Sequence, residues 1–117
     1  MHEIGVLTKA LRIVEDTAAK NNIKKIGFIT LEIGELTGYV PVFFEKYFPM
    51  AADDNPLFEN TELRMEIIRG EGLCENCSSL YNIMKNEGKC PKCGSRSKKI
   101  LGGTEFRIKE IGVEESV

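Results

Sequence analysis

Cys74-Glu75-Asn76-Cys77 and Cys90-Pro91-Lys92-Cys93 decide how this chain is read, because they hold its only four cysteines in two Cys-x-x-Cys pairs separated by a twelve-residue loop. Each pair puts two thiolates on one tight turn, and the loop is long enough for a short hairpin that brings the turns face to face as a tetrahedral S₄ cage. Zinc is the default occupant; a rubredoxin-like iron centre uses the same geometry, and spacing alone does not choose between them. A disulfide framework is disfavoured, since nothing in the chain points to an oxidising compartment. Gly94 directly follows the last cysteine, where a left-handed backbone turns amides toward the sulfurs, whereas the first turn has Ser78 at that position. Four thiolates fill every position on zinc and leave none for water or substrate. The metal is therefore expected to hold the fold, and function has to be sought elsewhere.

Outward from the cysteines, the flanking sequence alternates. Thr61 to Arg69 sets Leu63, Met65 and Ile67 against Glu62, Arg64 and Glu66, and Glu105 to Ile111 sets Phe106 and Ile108 against Arg107 and Lys109, which predicts a strand on each side of the metal module. Lys24 to Gly34 gives a further strand, with Ile29, Leu31 and Ile33 opposite Thr30 and Glu32. From Glu3 to Asn21, Ile4, Leu7, Leu11, Val14 and Ala18 recur at helical spacing, and Asn21-Asn22 should end the helix. Val42, Phe43, Phe44, Tyr47 and Phe48 predict a second, aromatic-rich helix whose cluster faces a sheet; Pro41 suits its first turn and Pro49 should end or kink it. The expected fold is α+β, two helices packed on a three-stranded sheet with an inserted zinc-ribbon module. The domain boundaries follow: residues 1–70 with 102–117 form the α+β domain and residues 71–101 the ribbon. Gly70/Gly72 and Gly102/Gly103 bracket the ribbon as hinges, and the Glu114–Val117 end is expected to fray.

With 117 residues there is room for one modest core and one metal-stapled module. The net charge of −2 argues against a nucleic-acid binder driven by bulk electrostatics. Its distribution is uneven: residues 72–100 carry six Lys/Arg against Glu75 and Glu87, a local +4. No stretch reaches the length of a membrane span, and the start lacks the regions of a signal peptide, so the protein is expected in the cytoplasm.

The single histidine is His2. A bulky second residue should block removal of Met1, leaving a free amine beside the imidazole, and that amine titrates near pH 8, low enough for a metal to displace its proton. The Met1 amine and the His2 backbone nitrogen close a five-membered chelate, and the His2 imidazole closes a six-membered one on that same backbone nitrogen. Three nitrogens in one plane suit Ni(II) or Cu(II), which reward in-plane donors, rather than Zn(II). The fourth donor is then the Glu3 carboxylate, water, or a group on a partner. An incomplete set favours transfer over storage.

Met1-His2-Glu3 opening an amphipathic helix, Leu31-Glu32-Ile33-Gly34-Glu35-Leu36 ending a strand, the two Cys-x-x-Cys pairs, and the closing run Gly102-Gly103-Thr104-Glu105-Phe106-Arg107-Ile108 together resemble the HypA/HybF family of hydrogenase nickel incorporation proteins. The resemblance runs in order through the whole chain. It implies a metallochaperone, not an enzyme, in which His2 with the Met1 amine binds Ni²⁺ as transient cargo, Glu3 assists, and Cys74, Cys77, Cys90 and Cys93 hold structural zinc. It further implies delivery to the large subunit of [NiFe]-hydrogenase in concert with a HypB-type GTPase, with urease maturation in some members, and leaves monomer and homodimer open. The sequence departs from the family pattern around Pro49 to Pro56, where an extra proline-containing loop is expected.

One other reading is a ribbon adaptor that docks on nucleic acid or protein through Lys85, Lys89, Lys92, Arg96, Lys98 and Lys99 beside Tyr81. A catalytic reading has little behind it: there is no second histidine, no cysteine outside the cage and no glycine-rich phosphate loop.

Overall fold

The computed structural model describes residues 3–113. The first helix, α1 (Glu3–Lys20), forms because its apolar residues fall on one stripe: Val6, Leu7, Ala10, Leu11, Val14 and Ala18 are buried. It stops where Asn22 takes a left-handed backbone (φ 56°), letting the Ile23 amide reach back to the Ala18 carbonyl at 2.9 Å and close the helix end. The second helix, α2 (Pro41–Ala51), has Pro41 in its first turn, as expected.

Pro49 does not end α2. The helix runs on to Ala51 with Pro49 in its last turn, and Ala52 caps it by donating to the Phe48 carbonyl at 2.9 Å. A proline is tolerable this late because only a terminal turn's hydrogen bond is lost. The aromatic cluster also departs from expectation: α2 packs against α1, and Phe44 is its one buried side chain, while Val42 and Met50 stay exposed.

The main sheet has strand order β2-β1-β6, with β1 at Ile26–Gly34, β2 at Glu62–Ile68 and β6 at Phe106–Val113. β1 is the central strand, hydrogen-bonded along both edges, and is buried along most of its length. Ile29, Leu31 and Ile33 are buried as the alternation predicts, and Thr30 and Glu32 are buried as well. Their polar face is roofed by the neighbouring strand: Arg107 forms an ion pair with Glu32, and the Thr30 hydroxyl lies 3.4 Å from a Glu110 carboxylate oxygen. On the edge strands Lys109 pairs with Glu66 at 2.9 Å, and the Arg64 guanidinium sits 3.8 Å over the Phe28 ring.

Between β2 and β6 the chain builds a second three-stranded sheet, order β4-β3-β5, from β3 (Glu71–Cys74), β4 (Leu80–Asn82) and β5 (Lys98–Gly102). Both pairings are antiparallel, and the β3–β5 register shifts between Glu71 and Gly72. The cysteine spacing predicts a short hairpin here; these strands, three to five residues long, are too short to show a period. The fold is thus the expected two helices and three-stranded sheet with an inserted ribbon.

The chain clusters into two compact units. One contains the residues up to Glu32, Tyr39–Glu66 and the residues from Arg107 onward; the other is Ile33–Gly38 with Ile67–Phe106. The second unit therefore includes the end of β1. There the glycines read as hinges are sites of close backbone approach. Gly103 holds φ 102°, and a Cβ on it would meet the Gly70 Cα at 2.5 Å, while one on Gly34 would collide with the Gly103 carbonyl oxygen. Gly72 lies within β3 and Gly102 within β5.

Candidate metal centres

The two cysteine turns have the same construction. In the first, the Ser78 amide donates to the Cys74 carbonyl at 2.9 Å and the Cys74 amide to the Ser79 carbonyl at 2.8 Å; in the second, Gly94 donates to Cys90 at 2.8 Å and Cys90 to Ser95 at 2.9 Å. Both residues after the second cysteine are left-handed, Gly94 with φ 76° and Ser78 with φ 61°. The glycine was expected there. Ser78 adopts the same conformation despite its Cβ, because the turn's paired amide bonds demand it.

The four sulfurs converge: all lie within 4.8 Å of one another, with Cys74 to Cys93 and Cys77 to Cys90 each at 3.5 Å. A tetrahedral zinc with bonds of about 2.3 Å needs sulfurs about 3.8 Å apart, so the donor set fits the ion and offers it four thiolates. Cys74 and Cys90 are buried while Cys77 and Cys93 are exposed. The surroundings prepare these thiols unequally. The Ser79 hydroxyl and then its amide bring Cys77 down to about 6, and the Asn76 side chain followed by the Ser95 amide lowers Cys93. The Cys77 amide pulls Cys74 down, but burial and the neighbouring sulfurs outweigh it and leave that thiol raised.

Tyr81 is buried with Cys74 and Cys90, and Ile83 packs against the three. That corrects the adaptor reading, which needed Tyr81 as a platform beside the lysines; a ring with 6% exposure cannot stack on a base. Part of the basic rim is also engaged, since Arg96 donates to the Glu87 carbonyl and Lys98 to the Arg96 carbonyl.

Of the residues expected at the amino terminus, Met1 and His2 lie outside the described residues. Glu3 opens α1, where its carboxylate accepts the Val40 amide at 2.9 Å. This bond ties the start of α1 to the residue that precedes α2, placing Glu3 beside the helix start rather than free in solvent.

Glu35 directly follows β1. Its carboxylate accepts the Gly70 amide at 2.8 Å and the Asn82 side-chain amide at 3.2 Å, and these two bonds, in that order, hold it below its ordinary value. The Leu36 amide bonds the Gly103 carbonyl at 2.8 Å, and the Leu36 side chain packs on Gly70. The end of β1 and the turn after it are thus fastened inside the ribbon-bearing unit. Only long-range pairing could have shown this.

A helix-and-sheet domain carrying an inserted four-thiolate ribbon defines a small metal-binding protein. A family model described as "Hydrogenase/urease nickel incorporation, metallochaperone, hypA" matches residues 1–113. The chain belongs to this HypA family. It is 32% identical over 114 residues to the hydrogenase maturation factor HypA of Dechloromonas aromatica, covering 97% of this chain and 100% of that one. With the Trichodesmium erythraeum protein of the same name it shares 35% over 115 residues, covering 98% and 97%. Among solved structures it is similar to the Ni metallochaperone HypA from Helicobacter pylori, with TM-score 0.67, 25% identity and 97% of both chains covered.

Proposed function

We propose that this chain is a nickel metallochaperone that binds Ni²⁺ at its amino terminus and delivers it during [NiFe]-hydrogenase maturation. The observation that carries the reading is the match of a nickel-incorporation family to residues 1–113, a span that includes Met1-His2-Glu3. The four-thiolate geometry supports a division of labour: a closed sulfur cage is filled by its resident ion, zinc, and has no position for cargo. Zinc bound there supplies a cross-link between the two turns. The cargo then falls to the Met1 amine, the His2 backbone and imidazole nitrogens, with Glu3 assisting from the start of α1.

Binding of this kind is weak and sensitive to acid. The imidazole and the amine must both be neutral to ligate, and they ordinarily titrate near about 6.5 and about 8. Release is driven by a partner that supplies or competes for ligands. The expected partners are a HypB-type GTPase and the hydrogenase large subunit, met in the cytoplasm, with no catalytic step on this chain. Among the described residues no helix is long and apolar enough to cross a membrane.

Titrating Ni²⁺ calorimetrically into protein with its native start and into His2→Ala tests this. The variant should bind at least roughly tenfold more weakly, as expected for loss of one metal ligand. Equal affinities would end the reading. A tag fused ahead of Met1 should weaken binding too, and unchanged binding in that fusion would remove the amine from the ligand set.

A further inference from the structure

The proline-containing loop after α2 lines a groove that metal handling leaves unused. Phe48, Pro49, Ala52 and Phe58 give it an apolar floor, and the cavity holds about 570 Å³. Its rim carries Asp53, Asp54 and Glu59, all exposed, none of them ion-paired among the described residues, and no lysine or arginine lines it.

The hydrogen-bond inventory of the groove is one-sided. The amides of Ala52, Asp53, Asn55, Phe58, Glu59 and Thr61 all donate to carbonyls within the same segment. The Leu57 amide is taken by the Asn55 side chain at 3.0 Å, and the Thr61 hydroxyl by the Ile26 carbonyl at 2.7 Å. Pro49 and Pro56 have no N–H at all. Most backbone donors are spent, leaving the Asp54 amide and the Asn55 side-chain amide, while three carboxylates remain as acceptors and the carbonyl end of α2 adds its own negative potential. An anion would meet three carboxylates and no cationic side chain among the lining residues. A cation on an apolar stem would find both a floor and a counter-charge.

We propose that this groove docks a basic segment of a partner protein, with an Arg or Lys stem lying along Phe48, Pro49 and Ala52 and its charge at Asp53, Asp54 and Glu59. Lysine and arginine suit such a site because their aliphatic stems cover apolar surface while the charged head stays at the rim. A bare metal ion or a polyamine would use the carboxylates but not the floor. The proposal needs no assumption about nickel, so its failure leaves the chaperone reading untouched.

The test is an amide-resolved NMR titration of the full chain with the peptide acetyl-Leu-Arg-Leu-amide, alongside the same peptide with citrulline in place of arginine, which keeps the shape and removes the charge. Shifts confined to the amides of residues 48–61 are expected. Affinity should fall about three- to tenfold for the citrulline peptide and for the Asp53→Asn/Asp54→Asn variant, the range of a few exposed ion pairs. If the variant does not fold, the two peptides on the unaltered protein decide the matter. Shifts elsewhere, no shifts at millimolar peptide, equal binding of both peptides, or spermidine binding as tightly as the arginine peptide would each overturn the proposal.

Discussion

The helix-bearing unit and the ribbon-bearing unit are held together by different physics. The first buries Leu7, Val14, Ile26, Ile29 and Phe44 to 1% exposure or less, an ordinary apolar core. The ribbon's own cluster is Cys74, Tyr81 and Cys90 with Ile83, too small to offset the entropy of ordering some thirty residues. What it has instead is four convergent thiolates and a set of backbone bonds. One unit is stabilised by excluding water; on the proposed reading the other is stabilised by a metal cross-link between its two cysteine turns.

The largest effect should come from breaking that cross-link. Structural zinc contributes roughly 10–16 kcal/mol of apparent binding energy in small domains. Removing it with a chelator, or replacing Cys90 by Ser, should unprotect the amides of 71–101 in hydrogen exchange while those of α1 stay protected. Loss of protection in both units at once would show that the two do not differ in this way. Acid should act in the same direction, since protons compete with the metal for the four sulfurs.

Next in size is the mirror experiment on the apolar unit. Phe44→Ala and Leu7→Ala, both at 0% exposure, should cost about 3–5 and about 2–5 kcal/mol in denaturant unfolding, without altering zinc content. A variant that sheds zinc would contradict the separation.

A smaller effect is expected at Glu35, which fastens the end of β1 inside the ribbon-bearing unit. Its carboxyl is lowered from an ordinary value of 4.5, so it contributes stability above that value and loses it as pH falls through the lowered one. Glu35→Gln should flatten the acid limb of the stability profile and speed exchange at Gly70. An unchanged profile would mean the bonds to Gly70 and Asn82 add nothing. The smallest effect belongs to Tyr81, whose buried hydroxyl has no hydrogen-bond partner among the described residues. Tyr81→Phe should leave thermal stability and zinc content unchanged or slightly raised, since it removes an unsatisfied polar group. A clear loss of either would reveal a partner for that hydroxyl.

The same contrast explains what could be read from the sequence. Long periodic stretches gave α1 and the main-sheet strands within a few residues, because burial of one face dictates spacing. The cysteine pairs announced their cage, since ligand spacing is local. The ribbon strands β3, β4 and β5 were not legible: they are short, and long-range register rather than pattern holds them. The fastening by Glu35 and the close approach of Gly34 and Gly103 join residues far apart in sequence. The covered polar face of β1 was hidden for a related reason, as Glu32 looks solvent-facing until Arg107 is placed across it. Pro49 misled because a proline near a helix end costs far less than one in its middle.

The division between a resident ion in sulfur and a cargo ion in nitrogen is tested most directly by native mass spectrometry of zinc-loaded protein with its native start, titrated with Ni²⁺. A species carrying one zinc and one nickel is expected, with nickel lost from His2→Ala and zinc retained. Nickel that displaces zinc from the cysteines, or that binds equally well without His2, would contradict it.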